Sequence, residues 1–208
     1  MSTVRIVAIL GAFLVWSALA LQLVLIANTL AEQGLLFAIW RYLGFFTILT
    51  NVWCAVLMTN AAIRPSSRSA RLQRSELAAA TAVIIVGIVY SVALRNTWNP
   101  QGWDALADHM LHDMAPIVFA VFWLMRPHGG LNWRDAALCV IWPAIYCAYA
   151  FARGATDGWY AYWFLDPSKL GLDTLTLYMV ILFAGFAVAG LAMVGADKLL
   201  TRRRIAET

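Results

Sequence analysis

The chain has 208 residues, of which 62% are hydrophobic and only 12% charged, where a soluble domain is nearer half apolar and a quarter charged. This composition excludes a soluble enzyme and, with short connections throughout, a separate soluble domain, so the predicted fold is all-α: one polytopic six-helix transmembrane bundle over residues 1–208. The formal net charge of +4 calls for neither nucleic acid nor an acidic partner, because basic residues flanking membrane spans serve as topology anchors.

Six apolar segments follow in chain order, each close to the ~20 residues that cross a hydrocarbon core. They are Ile6 to Leu30, Tyr42 to Ile63, Leu77 to Leu94, Ala105 to Met125, Ala136 to Ala152 and Leu172 to Ala196. The first follows Arg5 and contains a small-residue stretch at Ala18, Leu19 and Ala20, but runs on too long for a signal peptide. The second carries Thr47, Thr50, Asn51 and Cys54 at i, i+3, i+4 and i+7, one stripe of a helix. The third ends in Tyr90, Ser91, Arg95 and Asn96. The fourth opens with Asp108, His109, His112 and Asp113, and ionisable groups at membrane depth are the default place to look for function. In the fifth, Pro143 predicts a kink, while Cys139 and Cys147, like Cys54, read as small buried hydrophobes. Trp98, Trp103, Trp159, Tyr160, Tyr162 and Trp163 predict an aromatic cover over the bundle mouth. Asp166 before Pro167 reads as a cap or turn former. The sixth span is rich in Gly and Ala, which suits close packing within the bundle or a homodimer.

Eleven of the fifteen Lys and Arg residues fall on one side of this arrangement: Arg5, Arg64, Arg68, Arg71, Arg74, Arg126, Arg134, Lys198, Arg202, Arg203 and Arg204. The positive-inside rule then puts both termini in the cytoplasm. The remaining polar residues, Arg41, Arg95, Arg153, Asp173 and the Asp/His cluster among them, gather in the outer half, and the inner half, its arginines apart, reads as apolar. A cavity opening outward or sideways into the outer leaflet fits that asymmetry better than a channel.

If the second span enters near Trp40 and the fourth near Asp104, Thr47 and His112 both lie about 10–12 Å along their helices and can meet. A threonine hydroxyl in a membrane helix ordinarily bonds its own i−4 carbonyl. It becomes a nucleophile when a neutral imidazole takes its proton, the role open to His112. Asp108, one turn earlier, ranks second, since an i+4 neighbour can point beside the ring rather than at its far nitrogen. Asn51, His109, Tyr146 and Arg153 are the available oxyanion donors. Arg41, Arg95 and Arg153 are interface anchors or hold a lipid carboxylate or phosphate. Two other classes compete: a divalent-metal hydrolase using Asp108, His109, His112 and Asp113 as ligands, and a non-catalytic lipid-binding or proton-coupled transport protein.

Three segments, "WRYLGFFTILTN" around Thr47, "DHMLHDMAP" around His112 and "YAYWFLDP" from Tyr160 to Pro167, resemble in order and spacing the marked segments of the androgen-induced membrane hydrolases and their bacterial six-helix relatives. The resemblance covers nearly the whole chain. It implies Thr47 and His112 as the catalytic residues, His109 as the first histidine of a His-x-x-His pair, no cofactor, and fatty acid esters of hydroxy fatty acids or similar lipid esters as substrates. Asp108 and Asp113 flank the histidines where the animal motif has neutral residues. Thr50, Asn51, Asp108, His109 and Asp113 are the supporting set, and Arg41, Arg95, Tyr146 and Arg153 the substrate-binding set. The implied location is a bacterial inner membrane.

Overall fold

A computed structural model describes residues 2–65 and 69–206. The structure is 86% helical, and no strand occurs among the described residues. Six helical segments are long and apolar enough to cross a membrane: Thr3–Thr29, Phe46–Ile63, Ala70–Thr97, Gly102–Met125, Trp133–Asp157 and Leu172–Arg202. This is an integral multi-pass architecture. The spans agree with the hydropathy segments, with boundaries shifted by local chemistry.

Helix α1 is Thr3–Thr29, started by the Ser2 side chain accepting from the Arg5 amide, a regular N-cap. A short helix α2, Leu35–Tyr42, then precedes α3, Phe46–Ile63. The second span therefore begins at Phe46 rather than Tyr42, because Leu43 to Phe45 leave the helical path. Trp40 and Arg41 sit on α2, and Thr47 falls in the first turn of α3 instead of two turns deep.

Helix α4, Ala70–Val89, passes into a π-turn, Tyr90–Leu94, and a 3-10 turn, Arg95–Thr97. The fourth span is composite too: α5, Gly102–His109, a π-turn, Met110–Met114, and α6, Ala115–Met125. Pro116 has no N–H to give to the carbonyl of His112, its i−4 neighbour, and the helix widens there. Gly87 of α4 lies against this turn. A Cβ at residue 87 would sit 3.1 Å from the His112 carbonyl oxygen, so glycine lets the two backbones approach closely.

A 3-10 turn with a capping box between Asn132 and Asp135 leads into α7, Leu138–Asp157, which Pro143 does not interrupt and which ends at Gly158 with φ 69°. The segment from Tyr160 folds back over the bundle to a one-turn helix α8, Pro167–Leu170, and α9, Leu172–Ala206, closes the chain. Asp166 caps α8 as anticipated, accepting from the Ser168 amide at 3.0 Å and its hydroxyl at 2.6 Å. The three cysteines are buried and free.

The core joins Ala8, Ala12, Val15 and Ala18 of α1 to Ala55 and Met58 of α3, and Ala79, Ala80 and Val83 of α4 to Phe119 and Phe122 of α6. Small residues permit such close packing, which drives helix association where lipid is as apolar as the side chains. Gly190 of α9 serves this purpose against Cys139 and the Ala136 carbonyl, whereas Gly185 faces open space.

Candidate active site

Thr47 and His112 meet. The Thr47 hydroxyl lies 3.3 Å from Nε2 of His112, and Thr47 is buried. Nδ1 of His112 donates to the backbone carbonyl of Asp108 at 3.0 Å and lies 3.2 Å from that residue's carboxylate oxygen Oδ1. Both neighbours of Nδ1 are acceptors, so the ring proton sits there and Nε2 presents a lone pair to Thr47. The Asp108 carboxylate stands beside the ring as a close charge, and the carbonyl takes the hydrogen bond. Its other oxygen accepts a short hydrogen bond from the Tyr90 hydroxyl. Tyr90 also stacks on the imidazole, with centroids 3.9 Å apart and planes 15° from parallel. Both π-turns thus deliver a site residue.

On the far side of Thr47, the Tyr162 hydroxyl accepts from the Thr47 amide at 3.3 Å and lies 3.4 Å from its hydroxyl. Burial pushes the Tyr162 hydroxyl above the usual phenol range, which keeps its proton in place as a donor. Thr47 lies in the first turn of α3, so the positive end of the helix dipole is beside its hydroxyl.

Other anticipated residues are placed elsewhere. His109 and Asp113 pair with each other at 2.8 Å, and Asp113 also binds Arg95, in a half-exposed cluster separate from the Thr47–His112 pair. The four Asp and His residues therefore divide between two faces, and no three His, Cys, Asp or Glu among the described residues are grouped to hold a metal. Thr50 accepts from the Trp142 indole at 3.0 Å. Asn51 donates its amide to the carbonyls of Thr47, at 2.9 Å, and Leu111, at 3.4 Å, tying α3 to the second π-turn. The Tyr146 hydroxyl is engaged by the Gly44 carbonyl at 2.9 Å. Arg153 is buried against the Trp40 ring, 3.8 Å from its centroid, and donates to Tyr149. Asn51 and Tyr146 thus spend their donors on backbone carbonyls and His109 pairs with Asp113, whereas Nε and Nη2 of Arg153 are buried with no hydrogen-bond partner. The hydroxyl that does face Thr47 is that of Tyr162, which the sequence reading places in the aromatic cover, as it places Tyr90 only at the polar end of the third span. The signals for Tyr162 are that aromatic cluster and membership of the "YAYWFLDP" segment.

A cavity of about 360 Å³ opens at the pair, lined by Thr47, Tyr90, Asp108, His112 and Tyr162 together with apolar residues. It shares Gln22, Ile26, Phe45 and Trp98 with a vestibule of about 580 Å³ that includes Arg41. Thr47 and Tyr162 also line a second, narrow cavity of about 40 Å³ walled by α4, α7 and α9.

The end of the bundle where Arg5 meets Ala62 and Lys198 meets Leu131 is not apolar, contrary to expectation. Glu76 and Arg126 form a buried ion pair at 2.9 Å, His128 pairs with Asp197 at 3.0 Å, and Arg74 binds Asp135 at 2.8 Å. Arg126 is thus a bundle residue rather than an interfacial anchor. Ion pairs supplied by four segments escape a local count of charge, because each segment contributes only one or two polar residues. Arg68 lies outside the described residues, as do the side chains of Arg203 and Arg204.

The fold and the site define a six-span helical membrane protein with a part-buried hydroxyl–imidazole pair at the wall of a cavity. Comparison with protein-family models, curated proteins and solved structures finds no match to the chain.

Proposed function

We propose that this protein is a membrane-embedded hydrolase of lipid esters in which Thr47 is the nucleophile and His112 the general base. The observation that carries the proposal is the 3.3 Å approach of the Thr47 hydroxyl to an imidazole nitrogen whose partner nitrogen is already fixed as the donor. Thr47 Oγ1 attacks the ester carbonyl as its proton passes to Nε2. The resulting oxyanion is met by the Tyr162 hydroxyl and by the first turn of α3. Collapse breaks the bond to the alcohol oxygen, which takes the proton from Nε2 and departs as the alcohol. Water then attacks the acyl-threonine, gives a proton to Nε2, and releases the carboxylic acid as Thr47 recovers its hydrogen. The Asp108 carboxylate stabilises the imidazolium that forms in each half.

The resemblance to the androgen-induced hydrolases supports the same pair and favours fatty acid esters of hydroxy fatty acids, or similar lipid esters, as substrates. The excess of basic residues at the terminus-bearing end favours a cytoplasmic location for both termini, and the bacterial relatives an inner membrane. The test is labelling of the detergent-solubilised protein with a fluorophosphonate probe. Labelling of wild type that resists chelator and disappears in both Thr47→Ala and His112→Ala is the expected result. Labelling that survives Thr47→Ala overturns the assignment.

A further inference from the structure

Thr47 stands at the junction of two cavities of very different size, and only one of them contains the histidine. The wide cavity of about 360 Å³ is lined by His112 and Asp108; the narrow one of about 40 Å³ is not, although both include Thr47, Tyr90 and Tyr162. The narrow cavity has no charged side chain in its wall. It is formed by Val86 of α4, Pro143 and Tyr146 of α7, and Leu182 and Phe186 of α9, with Phe186 fully buried edge-on to Phe46.

Resting on the hydrolase reading, the position of the base assigns the two halves of the substrate. When the bond from the acyl carbon to Thr47 Oγ1 forms and the bond to the alcohol oxygen breaks, that oxygen must collect the proton held on Nε2 of His112. The leaving alcohol therefore lies on the histidine side. Thr47 bridges the cavities, so the acyl chain on the same carbon extends the other way. We infer that the narrow slot between α4, α7 and α9 is the acyl-chain site, and that the wide cavity with its vestibule receives the alcohol portion. The shapes translate into specificity. The smaller, wholly apolar cavity suits an unbranched saturated chain and disfavours branching next to the carbonyl, while the wide cavity tolerates bulk on the alcohol.

Two ester series in detergent micelles test the assignment. One varies the acyl group, from acetyl to decanoyl and 2,2-dimethylpropanoyl, on a fixed fluorogenic alcohol; the other varies the alcohol, from methyl to a bulky polycyclic one, on a fixed octanoyl group. Wild type is expected to prefer decanoyl over 2,2-dimethylpropanoyl by roughly 10-fold or more in kcat/KM, the scale of discrimination that steric fit provides. Val86→Phe and, independently, Leu182→Phe should lower the decanoyl-to-acetyl ratio by about 10-fold. Ala161→Phe, which narrows the wide cavity, should shift the alcohol ratio by a similar factor. Because ratios are read within one preparation, partial unfolding does not mimic either result. If the Val86 and Leu182 variants change the alcohol ratio and Ala161→Phe the acyl ratio, the assignment is reversed and the inference falls while the hydrolase reading stands. If wild type cleaves no ester and mass spectrometry finds no acyl group on Thr47, both fall.

Discussion

Tyr90 lies flat against His112, 3.9 Å between ring centroids, and the same residue's hydroxyl donates to Asp108. One side chain thereby fixes the plane of the imidazole and anchors the carboxylate beside it. A neighbour of this kind orients the reactive group it packs against. Tyr90→Phe preserves the stack and removes the donor, leaving the buried Asp108 carboxylate short of one hydrogen bond. The probe-labelling rate should fall about 10-fold while KM for a model ester changes little, on the scale of losing one charge-assisted hydrogen bond. Tyr90→Ala should cost more and lower the Tm as well. An unchanged rate in Tyr90→Phe would show that the hydroxyl has no part in positioning.

Asp108 and Asp113 each lie within one turn of a histidine, yet they should respond differently to the same substitution. Asp108 is buried and its carboxylate is 3.2 Å from Nδ1 of His112. Because the Asp108 carbonyl holds the Nδ1 proton, Asp108→Asn keeps the productive tautomer and loses only imidazolium stabilisation. The expected decrease in kcat is roughly 10- to 100-fold, short of the ~10⁴-fold that follows when a triad carboxylate is also the tautomer's holder. Asp113→Asn breaks the half-exposed pairing with Arg95 and His109, and kcat should stay within about 2-fold, since such pairs contribute little. Steady-state kinetics of the two variants side by side decides the point.

At the terminus-bearing end, Glu76 and Arg126 are buried together. Removing one member of such a pair leaves a charge in a medium that cannot solvate it, typically a loss of about 3–5 kcal/mol. Arg126→Met should therefore lower the Tm in detergent sharply. Labelling per folded molecule should be retained, because Thr47 is at the opposite end of the bundle. A Tm unchanged by Arg126→Met would show that the pair is not a stabilising contact.

The Ser168 hydroxyl, followed by the Lys169 ammonium and the Ser168 amide, holds the Asp166 carboxyl below the usual carboxylate range. A carboxyl lowered on folding contributes stability that is complete above its unfolded value and disappears as the pH drops through the folded one. Acidification into that window should loosen the turn that delivers Tyr162 to Thr47. Asp166→Asn should remove the acid-dependent part of the loss in stability, read as Tm against pH, and lower the labelling rate at neutral pH by a few-fold. A pH profile identical to wild type in Asp166→Asn would assign the acid sensitivity to another group.

Composition and hydropathy by themselves determined the class, the six spans and the segment in which to look. These are local properties: a lipid core demands about 20 apolar residues per crossing, whatever the neighbours do. A constant helical rise likewise made a meeting of Thr47 with the fourth span legible, although the break before Phe46 put Thr47 at a helix start instead of two turns in. The sequence reading already set His112 against Thr47; what the tertiary structure added is the π-turn at Met110–Met114, which changes the angular spacing that regular helix geometry assumes. Only the fold could bring Tyr162 to Thr47 across 115 positions of chain and bury Glu76 against Arg126. Each of these contacts joins residues far apart in the chain, and the free energy that selects one partner over another comes from packing and desolvation in the assembled bundle, which no single segment contains.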